Sequence, residues 1–99
     1  MKLLNATTDE STYEDVMIIA VPDKVYEDPD VVLQEFWTWL HETKDHDYWK
    51  TDESGHRYVG VGQAEFVEWL NKNHKYGEED AYVVEEYATY NPEYKTLEF

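Results

Sequence analysis

Residues 15–43, DVMIIAVPDKVYEDPDVVLQEFWTWLHET, hold a strand, a breaker and a helix in succession, and their order decides the fold class. Asp15 to Val21 is apolar and enriched in Val and Ile, so it reads as a buried strand, and Pro22-Asp23 ends it with a turn. Asp28-Pro29 then places an N-cap acceptor before a proline at the first helical position, with Asp30 adding negative charge where the helix dipole favours it. A helix is predicted from about residue 29 to 43. Its apolar positions Val32, Leu33, Phe36, Trp37, Trp39 and Leu40 are too many for one narrow stripe, so at least one Trp belongs at the stripe's edge.

Downstream, Tyr48–Thr51 and His56–Val61 flank the polar turn Asp52-Glu53-Ser54-Gly55, a hairpin signal. Gln63 to His74 has the helical period, with Phe66, Val67 and Leu70 facing in, Glu65, Glu68 and Lys72 facing out, and Trp69 at the boundary. Gly77 is expected to stop that helix by supplying a left-handed residue beyond its end. Ala81 to Tyr90 is aromatic and β-branched and reads as a strand, and Asn91-Pro92 turns the chain before a last short strand, Tyr94 to Phe99. The expected architecture is α+β: a small, largely antiparallel sheet with two helices on one face, in the order β-α-β-β-α-β. At 99 residues the chain is read as one domain spanning residues 1–99.

Charge is the strongest compositional signal. There are 23 acidic residues against 8 Lys and Arg, a formal net charge of −15. Residues 1–30, 31–77 and 78–99 carry −6, −3 and −6, so the excess lies in the outer thirds. Such a surface repels phosphates and anionic lipids, which argues against direct nucleic-acid binding and against a membrane surface. A mean hydropathy of −0.81 leans toward disorder, but 4 Trp, 9 Tyr and 3 Phe can bury enough area to form a core. With no Cys, disulfides, thiolate catalysis and zinc–thiolate sites are excluded. The longest apolar run, Val16 to Val21, is far below the roughly 20 residues of a membrane span, and the N-terminus has no signal-peptide apolar region, so a cytoplasmic protein is expected.

The usual chemical motifs are weak. In VGVGQAEF, residues 59–66, Gly60 and Gly62 precede a helix, but the third Gly of a dinucleotide fingerprint and the Gly-Lys-Ser/Thr end of a P-loop are missing. His41, Asp45, His46, Asp47 and His56 fall in or near one loop without a recognised metal spacing, and read as polar residues at a helix end and in a solvated loop. Carboxylate pairs are too numerous to indicate a glycosidase, and no nucleophile elbow is present. No catalysis, cofactor or metal is expected.

What remains is acidity interleaved with tyrosine. The candidate partner-binding residues are Asp9, Glu10, Glu14 and Asp15 before the first strand, Glu27, Asp28 and Asp30 at the helix start, and Glu78, Glu79, Asp80, Glu85 and Glu86 around the last long strand. Tyr82, Tyr87 and Tyr90 add rigid contact area among these charges. The complementary partner is a basic nucleic-acid-binding protein or nuclease, whose Lys and Arg are placed to meet phosphates. In size and composition the chain resembles the small acidic inhibitors encoded by phages and mobile elements, of anti-CRISPR, antirestriction or DNA-mimic type. Locally, Asp9-Glu10-Ser11-Thr12, Glu14 and Val16-Met17-Ile18-Ile19 resemble the acidic loop and strand of the phage uracil-DNA glycosylase inhibitor, over about a tenth of the chain. That resemblance implies a non-enzymatic inhibitor of a CRISPR effector, restriction enzyme or other nuclease, working in the host cytoplasm. Two alternatives share the same chemistry or none of it: an immunity protein or antitoxin against a basic toxin nuclease, and a structural or housekeeping protein that acidity keeps soluble.

Overall fold

A four-stranded mixed sheet carries the domain, in a computed structural model that describes residues 1–99. Its strands are β1 (Lys2–Thr7), β2 (Val16–Val21), β5 (Tyr82–Ala88) and β6 (Lys95–Glu98), in the spatial order β5-β2-β1-β6. β2 runs antiparallel to both β1 and β5, and β6 runs parallel to β1. A separate antiparallel hairpin pairs β3 (Trp49–Thr51) with β4 (Arg57–Val59). The helices are α1 (Asp23–Glu27), α2 (Pro29–Glu42) and α3 (Gln63–Asn73).

The fold is α+β, with α2 and α3 packed on one face of the sheet. The strand period sorts the side chains. Leu4 and Ala6 of β1, Ile19 and Val21 of β2 and Leu97 of β6 point to the helices, where they meet Val32, Phe36 and Leu40 of α2 and Phe66 and Leu70 of α3. The thinnest extent, 18 Å, is that of one sheet and one helix layer. No helix is long and apolar enough to cross a membrane.

The order of elements exceeds the expected β-α-β-β-α-β by three: the last short strand, anticipated after Asn91-Pro92, is β6, and two insertions were not anticipated. β1 precedes the predicted first strand, and the one-turn helix α1 fills the segment between Pro22 and Asp28. The hairpin forms its own two-stranded sheet and does not extend the main one. Two end signals also work differently. The Asp28 side chain makes no capping hydrogen bond; only its backbone carbonyl accepts, from the Val32 N–H. α3 ends at His74, which takes the left-handed conformation at φ 48° and donates its N–H to the Leu70 carbonyl, three residues before Gly77.

The sheet's second face is covered by the chain between β5 and β6. Asn5 of β1 is fully buried there, donating its amide to the carbonyls of Asn91 (2.7 Å) and Tyr94 (3.3 Å) and accepting from the Asn91 N–H (3.0 Å). One side chain thus satisfies three backbone groups about 86 residues away in sequence. Asn5→Leu fits the strand but orphans all three, so a loss of about 1–3 kcal/mol is expected in urea denaturation. A loss under about 0.5 kcal/mol would mean that water replaces the amide.

The loop after α2 is more ordered than a solvated loop. His46 donates Nε2–H to the Leu40 carbonyl and accepts at Nδ1 from the Tyr48 N–H. Its ring stacks on Trp39 at 4.9 Å and on Trp49 at 5.5 Å, and the Trp49 indole donates to the Thr43 carbonyl. Arg57 lies over Trp49, closing an aromatic stack that docks the hairpin on α2.

Candidate functional site

β5 lies at a free edge of the sheet, and part of the candidate acids lie along it or beside its ends. At its start, the Asn71 amide clamps Ala81 by donating to its carbonyl (2.9 Å) and accepting from its N–H (2.7 Å). Just before this clamp, Glu78 and Glu79 line a shallow surface depression with Pro22, Asp23 and Lys24. Asp80 is placed 3.4 Å from the His74 imidazole. At the far end, Glu86 and Tyr87 share a second depression with Glu10 and Asp15 of the β1–β2 loop. Residues 71 positions apart are brought together there by the pairing of Val16 with Ala88.

That loop is built to hold its shape. The Thr8 N–H donates to Ser11 Oγ, the Ser11 N–H to the Thr8 carbonyl and the Glu10 N–H to Thr8 Oγ1. Tyr90 donates its N–H to the Tyr13 carbonyl at 2.7 Å, and the two rings pack edge to face at 5.1 Å. The carboxylates of Asp9, Glu10, Glu14 and Asp15 project from this tied loop into solvent.

β5 itself is irregular. Ile19 pairs with Val83 and Ile18 with Glu85, which leaves Val84 as an extra residue, and a second extra residue falls before Ala88, where Tyr87 sits at φ 54°. A tyrosine in that left-handed region carries about 1–2 kcal/mol of backbone strain, of the kind retained at functional surfaces. Two bulges and two glutamates spoil this edge for pairing with another strand. The edge therefore offers side chains more than backbone: Tyr82 is 54% exposed and Tyr87 79% exposed, with Val84 between them. Tyr13, at 76% exposure, packs on Tyr90 and lines a separate depression with Thr96 and Glu98 of β6, a placement concealed in the sequence because only the fold brings it to Tyr90.

No Lys or Arg side chain pairs with any candidate acid; the lysines in ion pairs hold Glu35 and Glu68 instead. Glu27, Asp28 and Asp30 stand apart from the others. Lys95 of β6 donates to the carbonyls of Tyr26 and Glu27, so the α1–α2 junction lies beside the opposite edge of the sheet. The sequence-predicted set is thus divided between an acidic β5 edge and a separate acidic helix junction.

The titrating groups with displaced proton affinities lie off this edge. The Tyr76 hydroxyl and then the Lys75 ammonium bond to Glu35 and hold its carboxyl below the usual 4.5. Burial, and then the bond to Glu35, push Tyr76 up to about 12, and burial with Glu68 does the same for Tyr48. Both tyrosines bind their protons more tightly folded than unfolded, so their contribution is whole below the ordinary 10 and is lost as pH rises toward about 12. Tyr76→Phe is expected to flatten the fall in stability across that interval, measured as the urea midpoint against pH. An identical slope in the variant would mean that Tyr76 does not govern it.

No group of three His, Asp or Glu side chains is arranged to hold a metal ion. The fold and the site define an acidic α+β domain with a charged, tyrosine-bearing sheet edge. Compared with known protein families, curated proteins and solved structures, the chain matches none.

Proposed function

We propose that this protein is a non-enzymatic inhibitor that binds a basic nucleic-acid-handling protein through the β5 edge and the β1–β2 loop and keeps DNA or RNA off it. The observation carrying this reading is the alignment, along one sheet edge, of Glu78, Glu79, Asp80, Glu85, Glu86, Asp15 and Glu10, none of them paired to Lys or Arg. A seven-residue strand is roughly 23 Å long. Glu85 and Glu86 lie in the strand, Asp15 and Glu10 beside its far end, and Glu78, Glu79 and Asp80 just before its start, carboxylates that Lys and Arg placed for phosphates would meet. Tyr82 and Tyr87 supply the aromatic anchors that interfaces concentrate. The target class that fits is a nuclease of the CRISPR-effector or restriction type, met in the cytoplasm, as in the phage inhibitors the chain resembles.

The tagged protein is expected to capture such a partner from host lysates at about 50 mM salt and release it near 500 mM, because screening shortens from about 10 Å at 0.1 M to about 3 Å at 1 M. Added duplex DNA should displace it in proportion. A ternary complex of partner, DNA and this protein on gel filtration would overturn exclusion. Capture unchanged by salt would overturn the charged interface.

A further inference from the structure

Glu10 borders two depressions: the one it shares with Glu86 and Tyr87, and a second of about 410 Å³ lined by Thr8, Asp9, Trp37, Val61 and Phe99. The second joins the loop after β1, one residue of α2, the segment ahead of α3 and the residue that follows β6. Its volume is within the range of small-ligand clefts. Trp37, Val61 and Phe99 are half-buried and pack on the main core, Trp37 against Phe36 at 6.1 Å and Phe99 against Phe66 at 5.4 Å. The Phe99 N–H also donates to the Thr7 carbonyl at 2.8 Å, so the apolar wall is held in place before anything binds. Asp9 and Glu10 are exposed, and neither is paired with a cation. The cleft thus combines an aromatic wall with two free carboxylates.

That combination narrows the choice of ligand. No Lys or Arg lines the cleft, so an anion is repelled. An apolar group meets the wall and makes no use of the carboxylates. A lysine ammonium reaches the carboxylates, but it is strongly hydrated and gains less from lying against a ring. A guanidinium does both, because its weakly hydrated plane stacks on an indole while its N–H edge bonds a carboxylate. We propose that this cleft takes an arginine side chain of the basic partner, the guanidinium lying against Trp37 and donating to Asp9 or Glu10. Arginine is among the residues that anchor interfaces when seated in such a pocket. The role in partner binding rests on the inhibitor function proposed for the acidic edge, whereas the preference for a guanidinium follows from the cleft alone.

The test is a titration of the full chain with N-acetyl-arginine amide, followed through the indole N–H signals of the four tryptophans in proton–nitrogen correlation spectra. Salt is held at about 150 mM, where charges more than about 8 Å away are largely screened. The Trp37 signal is expected to shift saturably in the millimolar range. N-acetyl-lysine amide should bind several-fold more weakly, and N-acetyl-norleucine amide, which has no cation, should leave the signal in place. Asp9→Asn combined with Glu10→Gln changes two exposed side chains and should weaken the arginine derivative about two- to fivefold. Reversing Glu78 and Glu79 to Lys, beside the other end of β5, should move the midpoint by less than about twofold. An unmoved Trp37 signal, an equal response to the lysine or norleucine derivative, or an unchanged midpoint in the Asp9 and Glu10 variant would each overturn the assignment. Saturation at Trp37 with no capture of a partner from lysates would retain the guanidinium cleft and remove its role in inhibition. Salt-dependent capture with an unmoved Trp37 signal would do the reverse.

Discussion

Phe36→Ala is expected to cost about 3–5 kcal/mol, the largest stability loss of any single substitution proposed for this protein. Phe36 is fully buried and sits where the layers join, 5.5 Å from Phe66 and 5.2 Å from Trp69 on α3 and 6.5 Å from Trp39 on its own helix. Phe66 passes the packing on to Phe99 beyond β6 at 5.4 Å. Truncation at Phe36 opens a void facing all three rings, and aromatic rings fixed by one another cannot collapse to fill it. Only 22 of the 99 residues are buried, so few other contacts compensate. A native domain has about 5–15 kcal/mol in hand, and self-repulsion of −15 charges erodes that margin. Urea denaturation followed by circular dichroism should therefore show a midpoint collapse or an unfolded variant at ordinary salt. A cost below about 1 kcal/mol would mean that the two helices are held on the sheet chiefly by other residues.

Phe36 was legible in the sequence because the helical period alone places it inward, and so were Leu40, Phe66 and Leu70. The same holds for β2, whose apolar run ends at a proline. β1 was not legible. Lys2–Thr7 places Asn5 at its centre, and what makes that asparagine acceptable in a buried strand is the Asn91–Tyr94 backbone, which no local pattern reveals. α1 is five residues long, too short for a periodic signal. Gly77 misled because left-handed termination is usually glycine's, whereas His74 accepts that conformation here. The acids were visible as clusters, but which clusters share a surface depends on strand order. β5 pairs with β2, so Glu86 meets Asp15, while Glu27 goes to the far edge beside Lys95. The helical period put Trp69 at the boundary and at least one of Trp37 and Trp39 at the stripe's edge, whereas the packing of α2 on α3 buries Trp69 to 6% exposure, which no single helix's pattern reveals.

Matched charge reversals decide between the two acidic surfaces. Glu79, Glu85 and Glu86 changed to Lys, or Glu27, Asp28 and Asp30 changed to Lys, each move the formal net charge from −15 to −9, since every reversal is worth two charges. Asp80 is left untouched because it faces His74. The three edge residues are exposed and unpaired, so the edge variant should keep or slightly raise its melting temperature as self-repulsion falls. The junction variant places a lysine in the first turn of α2, which costs about 0.3–1 kcal/mol against the helix dipole. Both variants lose the same amount of long-range attraction. Only the edge variant sets like charges against the basic surface of the partner, and such juxtaposition costs several kcal/mol, a loss in Kd of more than about a hundredfold. Surface plasmon resonance at fixed salt should show that collapse for the edge variant and a small decrease in association rate alone for the junction variant. Equal losses would mean that total charge, not the β5 edge, governs binding. Full affinity in the edge variant with loss in the junction variant would move the interface to the start of α2, and with it the surface that nucleic acid must compete against.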